Sequence, residues 1–392
     1  MTNNRTFLSL LTLVVLSIFL LVSCQKEEEN RLIPIQVDAL FSADEAAILD
    51  KHLDVNKFKF LRNTSNEEQY KIFLGRALFY DKNLSGDRSV SCESCHQQQL
   101  AFSDNIALST GANNNATDRN SIALVSVSSF IGHYGGEEGT DIVENSFFWD
   151  NRTETLEEQL TQTLANPNEM DMKFHQLAPR VNELEYARVL YQKAYGNTNI
   201  SSENIVESIA AFVNSLNSQH APFDHGLGQA QFKVFDDFPL YSEEQNRGKT
   251  LFLQNCASCH AFSLSPTLRH QFENMETAAS NGLDITYADK GVARATLLKE
   301  DEGVFKIPGL RNVGMTGPYM HDGRFETLEE VIDFYSQNIQ PTPNLSDKLM
   351  TEDGQPKRMN FTEQDRTDLI AFLHTLSGIT HNDEEFSNPF RK

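Results

Sequence analysis

Cys92-Glu93-Ser94-Cys95-His96 and Cys256-Ala257-Ser258-Cys259-His260 are two copies of one pattern, C-x-x-C-H. In each copy two thiols stand one helical turn apart, the spacing at which both can add to the two vinyl groups of one haem. The His that follows then faces the iron. A redox-active dithiol or half of a zinc site would also use a Cys pair, but neither accounts for a His directly after both pairs. Of the five cysteines only Cys24 is left over, so nothing remains to form a distant disulfide.

Outward from each motif the surroundings repeat as well. Gly75-Arg76-Ala77-Leu78-Phe79-Tyr80 precedes the first, and Arg247-Gly248-Lys249-Thr250-Leu251-Phe252 precedes the second. Each reads as the end of an amphipathic helix leading into its motif. The second helix opens at Ser242, where Ser-Glu-Glu-Gln has the form of a capping box. Two further helices carry apolar residues at helical spacing: Ile205 to Leu216, with Ile209, Phe212 and Leu216 on one face, and Leu369 to Leu376, stopped at Gly378. The predicted fold is mainly α: two cytochrome c-like domains in tandem with long irregular loops, such as the Asn- and Gly-rich run from Gly111 to Asn120. In each domain one helix of the second kind crosses the helix before the haem motif.

Composition and the first residues bound the function. An apolar run from Phe7 to Val22 behind Arg5 is too short for a convincing spanning helix and reads as a secretory signal. It ends in Leu21-Val22-Ser23-Cys24, the form of a bacterial lipobox. Cys24 is therefore expected to be lipidated, with the mature protein exported and lipid-anchored on the periplasmic side of a bacterial membrane. The expected division is a signal peptide over 1–23, a tether and lead-in over 24–60, a first haem domain over 61–225 and a second over 226–392. The C-terminal end is expected to pack back on the first domain. A formal charge of -22 argues against nucleic acid as a partner, because phosphate binding needs clustered Lys and Arg.

From about Gly75 to Leu376 the sequence resembles the bacterial di-haem cytochrome c peroxidases block by block. The matching blocks are Leu84-Ser85-Gly86, Arg119-Asn120-Ser121, Phe148-Trp149-Asp150-Asn151-Arg152, Asn166-Pro167-Asn168-Glu169-Met170, the run from Phe305 to Asn312 and the run from Pro318 to Gly323. The resemblance implies that an N-terminal haem reacts with hydrogen peroxide while a C-terminal haem relays electrons to it. The external donor would be a small exported cytochrome c or a similar carrier. It makes His96 and His260 the proximal ligands, Glu169 the distal acid/base and Gln159 its neighbour. A carboxylate beside the iron can move a proton from the bound oxygen of peroxide to the leaving one. Trp149, the only Trp in the chain, matches the residue between the haems. Asn120, Thr316 and Pro318 match an interdomain calcium site built from one side-chain oxygen and two backbone carbonyls. A homodimer is compatible with the same resemblance.

Two departures from that pattern carry information. Several family members close the first haem with a distal His directly after a Ser-x-Gly, but Ser109-Thr110-Gly111 is followed by Ala112, which cannot bind iron. The nearest substitute is His133. At the second haem, the position that holds an axial Met in the standard peroxidases is Tyr335, as in the MauG-type enzymes. A tyrosinate favours higher oxidation states of iron, whereas Met raises the potential. Met315 and Met320 are the rival ligands. The resemblance therefore implies a peroxidase, with a MauG-like oxidase of a protein side chain as the alternative. A plain di-haem electron carrier is the non-enzymatic alternative, and Glu169 and Gln159 argue against it.

Overall fold

The computed structural model describes residues 40–58, 64–125, 127, 132–135, 141–144, 147–216, 218, 220–261, 276–378 and 384–391. The apolar run, Cys24 and the tether up to residue 39 lie outside them, and of His133 only the backbone is described.

The described residues are mainly helical, as predicted. In the first unit α1 (Ala43–Asp50) starts at a Ser42–Glu45 capping box, and α2 (Asn66–Tyr80) starts at Ser65. A short antiparallel pair follows, β1 (Gly132–Gly135) with β2 (Asp141–Glu144), in which Gly132 faces Glu144. Then come α3 (Leu156–Ala165), α4 (Phe174–Asn182), α5 (Glu185–Tyr195) and α6 (Ser202–Ser215). The second unit holds α7 (Pro222–Gln229), α8 (Glu243–Asn255), α9 (Ala257–His260), α10 (Ala293–Thr296), α11 (Leu328–Asp333) and α12 (Glu363–His374). Its only extended pair among the described residues is β3 (Ala278–Ala279) with β4 (Phe305–Lys306).

The sequence repeat is a structural repeat, and two glycines show why. A Cβ on Gly75 of α2 would stand 1.8 Å from the Ser208 carbonyl oxygen of α6, and one on Gly248 of α8 would stand 1.8 Å from that of Asp368 in α12. Only a residue without a side chain lets the two backbones cross this closely. Four residues on, the same aromatic pair seals each crossing: Phe79 meets Phe212 at 5.2 Å between ring centroids, and Phe252 meets Phe372 at 5.1 Å. The residue after each glycine is a buried cation satisfied by carbonyls. Arg76 donates to the backbone oxygens of Lys57, Glu384 and Ser387, and Lys249 Nζ donates to those of Val234 and Asp236 at 2.7 and 2.8 Å.

Several boundaries differ from the sequence expectation, each for a local reason. α12 begins at Glu363, six residues before Leu369, because Thr362 and Asp365 form a capping box over a polar first turn that periodicity does not register. The α2 helix ends at Tyr80, so one 3-10 turn, Lys82–Leu84, and a loop separate it from Cys92, whereas α8 runs into Cys256. Within the expected tether and lead-in, Phe41, Leu49, Leu53, Val55 and Phe58 are already buried in the first core, which continues to Leu216 and takes in Phe386. The second core starts at Phe223, a few residues before the expected division. Residues 384–391 lie against the first unit, with Phe386 in its core and Tyr80 Oη donating to the Phe386 carbonyl.

Candidate active site

Each C-x-x-C-H motif opens onto its own cavity. The first, about 450 Å³, is lined by Cys92, Cys95, His96, Gln159, Glu169 and Trp149 among others. The second, about 250 Å³, is lined by Cys256, Cys259, His260, Asn281, Met320 and Tyr335 among others. His96 Nδ1–H donates to the Phe102 carbonyl at 2.9 Å, and His260 Nδ1–H to that of Pro308 at 3.2 Å. Both bonds fix the ring and its tautomer, with the proton on Nδ1 and the lone pair on Nε2. Burial lowers each His pKa to about 4, so both imidazoles are neutral, the form that binds a metal. Burial also pushes Cys92 and Cys256 up to about 12 and Cys95 to about 11. A reactive dithiol needs a lowered thiol pKa, so the redox-pair reading fails here. An apolar cavity with a Cys pair and a tautomer-fixed His at its edge fits a c-type haem at both sites.

Glu169 reaches the first cavity from the loop after α3. Asn166 Nδ2 donates to its Oε1 at 2.7 Å. Burial raises the Glu169 pKa, opposed by hydrogen bonds from Thr163 and Asn166. Gln159 and Thr163, one helical turn apart on α3, line the same cavity. The Ser109-Thr110-Gly111-Ala112 segment packs against this loop. Ala112 N–H donates to the Glu169 carbonyl at 2.7 Å, and a Cβ on Gly111 would stand 2.2 Å from the Asn168 carbonyl oxygen.

Trp149 lines both cavities and is therefore part of the wall between them. Its Nε1–H donates to the Asn120 carbonyl at 2.9 Å, and its own carbonyl accepts from Lys306 N–H at 2.8 Å. Asn120 N–H in turn donates to the His321 carbonyl at 2.8 Å, so Trp149 is held by its indole in the first unit and by its backbone in the second. Asn120, Thr316 and Pro318 all line the second cavity. The Asn120 Nδ2 is turned to the carbonyls of Ile106 and Ala107, at 3.2 and 3.3 Å.

Tyr335 sits on a π-helical turn, Phe334–Asn338, and its Oη accepts from Asn281 Nδ2 at 3.3 Å. Burial pushes its pKa up to about 12, against the pull of that hydrogen bond. Met320 Sδ lies 3.7 Å from the same nitrogen, whereas Met315 does not line this cavity. Sequence reasoning missed Asn281, which belongs to no motif. It also missed the chain of charges Arg152–Asp150–Arg119–Asp289, buried at Asp150, with contacts of 2.7, 2.7 and 2.6 Å, which ties the first cavity to the second unit. Three of those residues stand in the quoted blocks, but their pairing depends on the fold.

Two helical units in tandem, each presenting a Cys pair and a neutral His to a cavity, with one Trp in the shared wall, define a di-haem c-type cytochrome. Residues 69–231 match the profile of the family described as di-haem cytochrome c peroxidase, and residues 245–377 match that of cytochrome c. The methylamine utilization protein MauG of Methylorubrum extorquens is 30% identical over 310 residues, which cover 78% of each chain. The cytochrome c551 peroxidase of Nitrosomonas europaea is 27% identical, covering 78% of this chain and 79% of its own. The crystal structure of a MauG-like protein associated with microbial copper homeostasis superposes with a TM-score of 0.67 at 30% identity, covering 82% of this chain and 93% of that one. The chain belongs to the di-haem cytochrome c peroxidase family and is an oxidoreductase carrying two haem c groups.

Proposed function

We propose that the protein reduces hydrogen peroxide to water at its first haem, with electrons that a small exported cytochrome or similar donor delivers to its second. Bound haem supplies the iron redox chemistry, held covalently by Cys92 and Cys95 with His96 at one site and by Cys256 and Cys259 with His260 at the other. The observation that carries this reading is Glu169. A carboxyl whose pKa is raised by burial, in the cavity of the first haem motif, is suited to take a proton from peroxide and hand it to the departing oxygen. Gln159 and Thr163 shape the same wall. The Asn166 amide holds the Glu169 carboxyl in one orientation. Trp149, with its indole held by the Asn120 carbonyl and its backbone by Lys306 N–H, is the relay group between the two sites. Ala112, in place of a His, leaves the peroxide side open.

The finer parts of the reading are assigned in the same way. Asn120, Thr316 and Pro318 hold a calcium ion between the units, Cys24 carries the lipid anchor, and the enzyme works in the periplasm. No helix among the described residues is long and apolar enough to cross a membrane. Tyr335 would serve as the sixth ligand of a haem held by His260. That ligand favours a second reading, a MauG-like oxidase that withdraws electrons from a protein side chain, because a phenolate stabilises oxidised iron better than a thioether does.

Steady-state assays with peroxide and a panel of reduced donors separate these readings. The peroxidase oxidises two one-electron donors per peroxide consumed. An oxidase of side chains consumes peroxide with no small donor as partner. A protein that exchanges electrons yet leaves peroxide untouched would be a carrier only, and the proposal would fall.

A further inference from the structure

The second cavity offers two axial candidates, the Tyr335 phenol and the Met320 thioether, and one side chain touches both. Asn281 Nδ2 lies 3.3 Å from Tyr335 Oη and 3.7 Å from Met320 Sδ. The orientation of this amide is set by its other end, since Asn281 Oδ1 accepts from Leu283 N–H at 3.2 Å. Its two N–H groups therefore face the ligand candidates.

The backbone that carries Asn281 is pinned on both sides. Ser280 O accepts from Ser346 N–H at 3.0 Å, and Gly282 O accepts from Gln340 N–H at 2.7 Å. Gly282 itself has φ +73, and a Cβ there would stand 2.7 Å from Ile339 Cγ2. Leu283 N–H is shared with Tyr287 Oη at 2.9 Å. The amide is thus a rigid donor built into the wall and cannot swing to follow a ligand.

We infer that Asn281 is the positioning residue that selects Tyr335 over Met320 as the sixth ligand of the second haem. The inference rests on the assignment of Tyr335 made above. Two effects act in the same direction. A donor aimed at Oη makes that oxygen an acceptor, which suits an anionic phenolate, and hydrogen bonds to a charged acceptor are the stronger kind. The other N–H engages a lone pair of Met320 sulfur, the electrons a thioether would need to bind iron. Met320 has φ +75, an uncommon conformation for a side chain of its size, so its own position is imposed by the surrounding fold.

The test uses the holoenzyme and two variants. Asn281→Leu removes both donors at similar volume. Asn281→Asp keeps the acceptor for Leu283 N–H but points no N–H at either ligand. Each should bring in a methionine-type ferric spectrum absent from wild type. The Tyr-ligated to Met-ligated ratio should fall at least tenfold, equivalent to about 59 mV upward in the one-electron midpoint potential of the second haem. Adding Met320→Leu to either variant should abolish the methionine-type spectrum. Covalent haem staining and circular dichroism verify that the variants are loaded and folded, and Asn281→Asp provides the reading if Asn281→Leu does not fold. Unchanged spectra and potentials in the loaded variants, in a protein where Tyr335→Phe does alter them, would overturn the role of Asn281 alone. If Tyr335→Phe leaves the wild-type spectrum unchanged, the ligand assignment underneath it fails instead.

Discussion

Glu169→Gln removes a proton acceptor while keeping the shape of the side chain. The hydrogen bond from Asn166 Nδ2 to Oε1, 2.7 Å in the wild type, can be retained by the Gln carbonyl, so neither the loop nor haem attachment should suffer. What disappears is the group that takes and returns a proton. General acid/base residues contribute about 100- to 10,000-fold, or roughly 2.7 to 5.4 kcal/mol on the barrier. Stopped-flow absorbance after mixing with peroxide should show a loss in that range, with two covalent haems still present by mass. The stability of the variant supplies an independent check. A carboxyl whose folded pKa is raised stabilises the fold below its unfolded value and loses that contribution as the pH rises through the folded one. Burial raises Glu169 above its ordinary 4.5, so at neutral pH the wild type carries the cost of a buried carboxylate that Gln does not. The variant should therefore unfold at an equal or higher temperature at neutral pH, with the difference closing as the pH falls below about 4.5. A loss in rate of less than tenfold with both haems intact would refute the assignment and make Glu169 a structural residue.

Gly75→Ala and Gly248→Ala each drive a methyl group into a carbonyl oxygen across a helix crossing. Overpacking of this kind costs about 1–3 kcal/mol, more than the roughly 1 kcal/mol that Ala adds in helix propensity, so both should lower the denaturant midpoint. Neutral variants would mean that the helices part easily. Cys24→Ser should move the protein from the membrane fraction to the soluble one, and an unchanged distribution would remove the anchor. Chelation of calcium, and Asn120→Ala in buffer with calcium, should each lower the thermal midpoint and the peroxide rate. Calcium has no part in this protein if neither treatment does.

The haem-attachment motifs are legible in the sequence because their chemistry is complete within five residues. The capping box at Ser242 is legible for the same reason, since it satisfies backbone donors one turn away. Periodicity located α6 and the later part of α12, whose apolar faces repeat at helical spacing. It missed the first turn of α12, where a polar cap carries the signal. Family resemblance marked Glu169 and Gln159 as groups of the first site and Trp149 as the residue between the two, and all three line the first cavity.

What no local pattern contains is the meeting of residues far apart in the chain. Gly75 and Gly248 stand in the sequence like any glycine inside a helix, and only the approach of Ser208 and Asp368 shows that a side chain there would collide. Arg119 finds Asp289, 170 residues away, in an ion pair that only the docking of the two units creates. On the page of the sequence Tyr335 holds the position of the sixth ligand, with Met315 and Met320 as its rivals. The fold removes Met315 from the cavity and brings the other two to the single amide of Asn281. Attachment of haem is a covalent matter decided by five consecutive residues. The choice of its sixth ligand depends on non-covalent distances, which exist only once the chain has packed.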